Sequence, residues 1–243
     1  MNKDAEFIKR PLHLIVKKVV CETESLEAGF TTRYVLKYIL DSAFLQICGA
    51  LEQKIKCICW ELVNNSHAQR QEFFEKGLRG YSSLQDKENK LKMICKEIED
   101  ISKEKIIFNE SVFWENESVF LFNNSVFSKY FNREYAFFLS LREELGYLLK
   151  DECFRNDVQS GKSNAKIFSN NKLRDIYSKF IYNYRNSIAH NTKSTINYLP
   201  DFEELKEDDY KYENPFLRFA LILFVDMAFI EVFEQYEQCL ENK

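Results

Sequence analysis

The chain is poor in the residues that interrupt helices and in the residue that most often moves protons. Its 243 residues include only six glycines, three prolines and three histidines. Because glycine and proline are so rare, long uninterrupted helices are allowed. Because histidine is so rare, a mechanism that needs a proton carrier near neutral pH has only three candidates, His13, His67 and His190.

A long uncharged hydrophobic run is also missing, which argues against a membrane-spanning segment. The most apolar stretch, residues 216–233, is interrupted by Arg218, Asp226 and Glu231, whereas a span needs roughly 18 or more nearly uncharged residues. We expect this stretch to be a core helix that is apolar on nearly all sides. The N-terminal residues are charged and do not resemble a secretory signal.

The seven cysteines are odd in number and scattered, as is typical of free thiols in a reducing compartment. Cys57 and Cys59 are the closest pair, but in a helix they would point about 200° apart. Neither a second cysteine pair nor a histidine lies at ligand spacing. We therefore predict no metal site and no cofactor, and a cytoplasmic protein that does not enter a membrane.

Charge is distributed unevenly along the chain, although the net charge is only −4. Residues 150–195 hold nine Lys or Arg against four Asp or Glu, and residues 200–243 hold four against twelve. The basic part would attract phosphate, with Lys179 and Lys193 as candidate substrate contacts. An ordinary solvated face would show the same pattern, so both interpretations stay open.

Apolar periodicity and capping residues predict an all-α bundle of about five main helices. Abundant aromatic residues, 22 Phe and 13 Tyr, indicate a well-packed core. We expect one domain over residues 1–243, with polar connections at 154–170 and 192–213. The first predicted helix begins at a Thr32 cap, the second follows a Ser82–Gln85 capping box, and the last follows an Asn214–Pro215 cap. The five ranges are 32–65, 82–105, 128–153, 172–191 and 214 onward.

A short internal repeat lies in the middle of the chain. The sequence Asn-Glu-Ser-Val-Phe occurs at residues 109–113 and 116–120, and Asn-Asn-Ser-Val-Phe at 123–127. Asn turns with Val-Phe pairs suit short β segments or a loop, and a period of seven suits a helix. We favour a loop or small β insertion near 106–127. Its aromatics could stack on bases, but packing against the bundle or a partner is the commoner role.

The residues that indicate chemistry are Arg185, Asn186 and His190, because a guanidinium can hold a phosphate and an imidazole can transfer a proton. Asn186 and His190 share one helix face, but Arg185 lies about 140° from His190 round the axis. Either the helix ends or bends here, or a second copy of the chain completes the site. In the structural alternative, Arg185 pairs with an acidic neighbour and His190 stabilises a helix C-terminus.

At these residues, Arg-Asn-Ser-Ile-Ala-His-Asn at 185–191, the chain resembles the HEPN superfamily. Members are mostly helical bundles, and many are metal-independent ribonucleases with an R-x4–6-H motif, often with Asn directly after the Arg. Glu52 and the nearby lysines resemble a Glu and Lys in the first long helix of several HEPN groups. Some family toxins carry a Tyr two residues after the His, where this chain has Thr192.

The resemblance implies an endoribonuclease that works as a homodimer on RNA. In that mechanism the substrate's 2′-hydroxyl attacks the adjacent phosphorus, His190 moves a proton, and Arg185 neutralises the phosphorane. Asn186 would orient the imidazole or donate to a phosphate oxygen. Glu52 would support Arg185 or be a plain surface charge, and is not expected to be a catalyst. Cyclic-phosphate products and independence from Mg²⁺ follow from this chemistry.

The same resemblance leaves the biological setting open. A toxin with an antitoxin or regulatory partner and an antiviral abortive-infection effector are both expected settings for such a nuclease. A non-catalytic module that binds RNA or nucleotides, or that dimerises within a larger complex, is the alternative. A helical scaffold whose contact surface is the repeat at 109–129 is a third.

Overall fold

The structure is a computed structural model, and 85% of the residues that it describes are helical. Described residues are 3–26, 29, 31–76, 80–102, 121–149, 166–168, 171–190 and 212–242. No strand occurs among them. The predicted all-α class is therefore confirmed for this part of the chain.

The helices follow one another with short breaks. In chain order they are α1 (Lys3–Lys9), α2 (His13–Thr23), α3 (Thr32–Asn65), α4 (His67–Lys76), α5 (Leu84–Ser102), α6 (Val126–Tyr130), α7 (Asn132–Leu149), α8 (Asn171–Ile176), a π-helical segment (Tyr177–Tyr182), α9 (Asn183–Ala189) and α10 (Pro215–Glu241).

Helix α10 lies at the centre of the fold. Its start agrees with the sequence prediction, because the Asn214 side-chain oxygen accepts hydrogen bonds from the backbone N–H groups of Phe216 (3.0 Å) and Leu217 (3.2 Å) and Pro215 is the first helical residue. Nearly every side chain from 216 to 233 is buried. Helices α1, α3, α5 and α7 and the π-helical segment all pack against it, which confirms the predicted core helix.

Helix α3 is the longest helix in the described ranges and spans the predicted residues, 32–65. Its N-terminus differs from the prediction in one detail. Thr32 is already helical, and its hydroxyl oxygen accepts a hydrogen bond from the N–H of Gly29 at 2.9 Å. The hydroxyl therefore caps a backbone group outside the helix instead of one inside it.

Helix α3 is also long and apolar enough to cross a membrane by length and composition, alone among helices of the described ranges. The apolar window has a mean hydropathy of 1.3, and 44% of it is buried inside the protein. The stretch 216–233, which is the most apolar in the sequence, lies in α10 and contains three charged residues.

The capping box of α5 is shifted by one residue from the predicted Ser82–Gln85 pair. The Ser83 hydroxyl oxygen accepts from the N–H of Asp86 at 3.1 Å, and the Asp86 carboxylate accepts from the N–H of Ser83 at 3.2 Å. Gln85 instead donates to Asn89, one turn further along. Ser82–Gln85 and Ser83–Asp86 both have the spacing of a capping box. In the structure the second pair forms it, and the aspartate takes the place of the usual, longer glutamate or glutamine.

The last unit of the repeat, residues 123–127, is a turn followed by the first residues of α6, so the β alternative is wrong for this unit. The Ser125 hydroxyl oxygen caps α6 by accepting from the N–H of Ser128. Phe127 is buried and packs edge-on against Phe122, with ring centroids 5.7 Å apart. These aromatics belong to the core. The first two units lie outside the described residues.

The two predicted polar connections also contribute to the core at their ends. Phe168 is fully buried and stacks on Phe224 of α10 at 5.4 Å, and Tyr212 is buried as well. Residues 154–165 and 192–211 lie outside the described part of the chain.

A buried ion pair links α3 to α10. Lys54 Nζ lies 2.6 Å from Asp226 Oδ1, and each side chain is only 1% exposed. Asp226 Oδ2 accepts the backbone N–H of Leu12 at 2.7 Å, just before α2 begins. Burial raises the pKa of Asp226 and lowers the pKa of Lys54, and pairing opposes both shifts. Three separate segments of the chain therefore meet at one carboxylate.

We predict that Lys54→Met lowers the free energy of unfolding by about 3–5 kcal/mol, because it leaves a buried carboxylate without its cation. Urea denaturation measures the change. The double variant with Asp226→Asn should recover part of the loss, since Asn keeps an acceptor for Leu12 and removes the charge.

The matched control for this prediction is Lys9→Met, which breaks a more exposed pair with Glu237. Its expected cost is at most about 1 kcal/mol. A Lys54→Met loss no larger than the Lys9→Met loss would contradict the assigned role of the buried pair.

Candidate active site

The predicted motif residues lie on a helix that changes its winding just before them. Helices α8 and α9 and the π-helical segment between them form one continuous element, here called the motif helix. The sequence predicted this element as one helix from 172 to 191, and it ends at Ala189 with His190 as its C-terminal cap. π-Helical turns are rare and often occur at functional sites. The sequence pattern did not predict this π-helical segment.

Arg185 and Glu52 are brought together from positions 133 residues apart in the chain. Arg185 Nη2 lies 3.0 Å from Glu52 Oε1 on α3, and the side chains are 27% and 18% exposed. Arg185 Nη1 also donates to the side-chain oxygen of Asn186 at 2.9 Å. The guanidinium is thus held in a fixed orientation at the edge of the bundle, where part of it still faces solvent.

Asn186 contacts Arg185 through its side chain and His190 through its backbone. Its carbonyl oxygen accepts the backbone N–H of His190 at 3.0 Å. One expected role of the Asn186 side chain was to orient the imidazole of His190, but the side chain contacts Arg185. Asn186 instead positions the guanidinium.

His190 is exposed and not embedded in the apolar core. It follows the last residue of α9, with φ −99° and ψ 7°, so the helix ends at the point where an ideal helix would hold Arg185 and His190 on different faces. The imidazole is accessible to a substrate or to a second copy of the chain. A place at a helix C-terminus also suits the structural alternative.

The two lysines proposed as substrate contacts lie elsewhere or outside the described residues. Lys179 is exposed on the π-helical segment, with Nζ 5.3 Å from the ring centroid of Phe180. It does not line the pocket beside Arg185. Lys193 lies outside the described part of the chain.

A small pocket opens beside Arg185, where α3, the start of α5, the motif helix and α10 meet. Its empty space is about 270 Å³, a figure that includes space open to solvent. The lining residues are Cys48, Leu51, Glu52, Ser82, Lys87, Tyr177, Ile181, Tyr182, Arg185 and Ile222.

Lys87 is the pocket residue that the sequence analysis missed. It is 3% exposed, and its Nζ donates to the carbonyl oxygens of Tyr81 (2.9 Å) and Ser82. Burial lowers its pKa to about 8, and Glu52 partly opposes this shift. A signal was available, since Lys87 follows Leu84 by three residues and precedes Leu91 by four, on the apolar stripe of α5.

Gly80, which has a left-handed backbone conformation, directly precedes the two residues whose carbonyl groups bond Lys87. Gly80 has φ +68°, and a Cβ there would lie 2.2 Å from Asp86 Oδ1. Any other residue would be strained at this position and would also collide with the carboxylate of the capping box. Glycine therefore allows the turn that leads into α5 and the pocket wall.

The cysteine and the buried tyrosine of the pocket do not supply a nucleophile. Burial raises the pKa of Cys48 to about 12 and also raises the pKa of Tyr177. A thiol attacks as a thiolate, and at neutral pH Cys48 stays protonated. The other ionisable side chains at the pocket are Glu52, Lys87, Tyr182 and Arg185.

A polar cluster fixes the motif helix one residue before Arg185. The Tyr184 hydroxyl donates to Asp41 Oδ1 on α3 at 2.7 Å, and the Arg218 guanidinium lies 3.4 Å from the centre of the Tyr184 ring. Burial raises the pKa of Asp41, and the hydrogen bond from Tyr184 opposes the shift. The cluster joins α3, α9 and α10, so Arg185 is positioned from both sides.

No cluster of three or more His, Cys, Asp or Glu side chains suited to a metal ion is found among the described residues. Comparisons with known proteins give no further guide, since no family model, no curated protein and no solved structure matches this chain.

The buried ammonium group of Lys87 predicts a specific pH dependence of stability. Its pKa is lower in the folded chain, about 8, than the ordinary value of 10.5. Between these values the unfolded state binds more protons, so the contribution of Lys87 to stability rises with pH. The full rise is at most about 3 kcal/mol, at 1.36 kcal/mol for each pKa unit.

Urea unfolding of the parent and of Lys87→Met at pH 7.5 and pH 10 measures this effect. The parent should gain stability relative to the variant at the higher pH, because other titrating groups are common to both proteins. Lys96→Met, an exposed change on the same helix, is the control and should show no such gain. A pH-independent difference for Lys87→Met would contradict the prediction.

Proposed function

We propose that this chain is a metal-independent endoribonuclease of the HEPN type, with Arg185 and His190 as its catalytic residues. The observation that carries the proposal is the held guanidinium. Glu52 and Asn186 fix Arg185 beside a small pocket that is open to solvent. His190 follows at the end of the same helix, exposed to solvent.

The chemistry uses the 2′-hydroxyl of the substrate as the nucleophile. The hydroxyl oxygen attacks the adjacent phosphorus and the bond to the 5′-oxygen breaks, which leaves a cyclic phosphate and a 5′-hydroxyl. His190 accepts the proton of the 2′-hydroxyl or donates one to the departing 5′-oxygen. Arg185 faces the charge that develops on the phosphorane, and a donor that is already oriented stabilises that charge without a cost of reorganisation.

The proposal includes a homodimer in which two motif helices face one RNA strand. Its support is the accessibility of His190 at the end of α9, because a second copy can approach an exposed imidazole. A dimer would supply one proton acceptor and one proton donor from its two histidines.

The proposed setting is the cytoplasm, where RNA is abundant. In the described residues six cysteines are free thiols, four of them buried, as expected in a reducing compartment. An unregulated ribonuclease would damage its own cell. We therefore propose a toxin with an antitoxin or regulatory partner, or an antiviral abortive-infection effector.

A second candidate function is favoured by the same ion pair. Glu52 offsets part of the Arg185 charge that a scissile phosphate would meet. A non-catalytic module that binds RNA or nucleotides, or that joins a larger complex, needs only the held guanidinium and not the imidazole. The two candidate functions differ in what they predict for the loss of His190. A nuclease would lose cleavage activity, whereas a binding module would change at most in its affinity for RNA.

Incubation of purified protein with a mixed RNA pool in EDTA tests the proposal. The parent should cleave, Arg185→Ala should lose about 10²–10³-fold in rate, and His190→Ala about 10²–10⁴-fold. Glu52→Gln should have a smaller effect on rate, since it weakens the orientation of Arg185 without removing it.

The matched controls are Arg133→Ala and His67→Ala, which remove the same side chains from exposed positions on α7 and α4. Both should cleave like the parent. Cleavage that strictly requires Mg²⁺, or full activity of His190→Ala, would reject the proposed mechanism. Tight RNA binding without cleavage by any variant or the parent would favour the non-catalytic module.

A further inference from the structure

Two exposed tyrosines lie in the N-terminal part of α3. Tyr34 is 52% exposed and Tyr38 is 67% exposed. Within the described part of the chain, neither side chain has a ring contact or a hydrogen bond. Because they are four residues apart, both side chains lie on one side of the helix, about 6 Å apart along its axis. The two rings do not contribute to the core, and much of their surface is open to a ligand.

The motif helix runs antiparallel to α3 and ends close to these two tyrosines. Tyr177 lines the pocket together with Cys48, whereas Tyr184, seven residues later, bonds Asp41, seven residues earlier on α3. His190 lies six residues beyond Tyr184, which is about 9 Å further along the helix. The same distance back along α3 from Asp41 falls between the two tyrosines. His190 and the tyrosines are therefore at the same level of the bundle.

Both tyrosines also point to the side of α3 on which the motif helix lies. At about 100° per residue, Tyr34 lies within about 20° of Asp41 round the helix axis, and Tyr38 within about 60°. Asp41 is the residue of α3 that bonds the motif helix. Because the motif helix ends just before His190, it does not extend over the tyrosines. The exposed imidazole and the two rings thus border the same space.

Basic residues stand next to both tyrosines. Arg33 directly precedes one of them and Lys37 directly precedes the other, so the two cations form a second line along α3. The Arg33 side chain is 58% exposed and shares its charge with Glu134, and Lys37 is half-buried. A line of rings beside a line of cations is complementary to single-stranded nucleic acid, whose bases offer flat faces and whose phosphates offer negative charge.

We infer that Tyr34 and Tyr38 form a stacking platform for unpaired bases of the RNA, next to the bond that His190 cleaves. The identity of the ligand rests on the proposed function, whereas the platform itself requires only the two rings. Stacking on them would hold the strand beside the imidazole and set which phosphate it meets. Every base has a face that can stack, so the platform selects unpaired RNA over duplex RNA and does not select a base sequence.

A second copy of the chain is the other occupant that an exposed aromatic face could accept. In a symmetric dimer the same residues of both copies meet. A contact centred on the tyrosines would bring Arg33 and Lys37 of one copy towards those of the other, and juxtaposed like charges are costly. The basic line therefore favours RNA as the occupant.

Binding is measured by fluorescence anisotropy with labelled 2′-O-methyl RNA, which has no free 2′-hydroxyl and stays intact. The strand is used alone and annealed to its complement, and the parent should bind the single strand more tightly. The double variant Tyr34→Ala/Tyr38→Ala should lose about fivefold or more in affinity for the single strand, as expected when stacking on one base is removed. Its affinity for the duplex should change little.

Two further variants separate stacking from other effects. Tyr34→Phe/Tyr38→Phe keeps both rings and should bind the single strand like the parent. Trp60→Ala removes an exposed aromatic side chain from the same helix, about 33 Å along the axis from Tyr38, and should also bind like the parent. Urea unfolding and sedimentation of the alanine double variant should match the parent, because both rings are exposed.

Three results would overturn the platform. The first is parent-like binding of the single strand by the alanine double variant, and the second is equal loss of affinity in the phenylalanine variant. The third is a changed oligomeric state of the alanine variant, which would assign the face to a contact between copies.

Failure of the proposed function gives a different pattern of results. A parent that binds single-stranded RNA through the two rings but never cleaves unmodified RNA would keep the platform and reject the nuclease. A parent that cleaves RNA, with an alanine double variant that binds and cleaves equally well, would keep the nuclease and reject the platform. A parent that binds no RNA would reject both.

Discussion

Helix α10 is buried on nearly all of its sides, and its burial determines how the other helices pack. A helix with this much apolar surface must be surrounded, and α1, α3, α5, α7 and the motif helix surround it. Its two charged residues in the core, Arg218 and Asp226, are buried with it. Asp226 joins α10 to Lys54, and Arg218 lies on Tyr184. The central helix therefore sets where α3 and the motif helix lie relative to each other.

The candidate site follows from that arrangement. Because α3 and the motif helix are both held against α10, Glu52 and Arg185 meet at their edge, and the start of α5 brings Lys87 to the same place. The π-helical segment supplies Tyr177, Ile181 and Tyr182 to the wall just before Arg185. Structure and proposed chemistry thus depend on the same contacts.

Local patterns in the sequence predicted the local structure well. Asn214–Pro215 and the apolar stretch after it predicted α10, and the periodicity of 32–65 predicted α3, because caps and helical periodicity depend on neighbouring residues only. The capping box at Ser82–Gln85 was displaced by one residue, since Ser83 and Asp86 have the same spacing. Lys87 was missed although it lies on the apolar stripe of α5 and its hydrogen-bond partners, Tyr81 and Ser82, are close in the sequence. The π-helical segment was missed as well, because no cap or period in the sequence marks a change of winding. The contact of Glu52 with Arg185 fits both the HEPN resemblance and the structural alternative, in which Arg185 pairs with an acidic neighbour.

We propose that this arrangement of Glu52, Arg185 and His190 cleaves RNA through the substrate's own 2′-hydroxyl. Mass spectrometry of the RNA fragments released in EDTA tests the proposed chemistry, because the chemistry of the ends records the attacking group. We expect 2′,3′-cyclic phosphate on one side of each cut and 5′-hydroxyl on the other. Fragments with 5′-phosphate and 3′-hydroxyl ends would show that water attacked instead, and would contradict it.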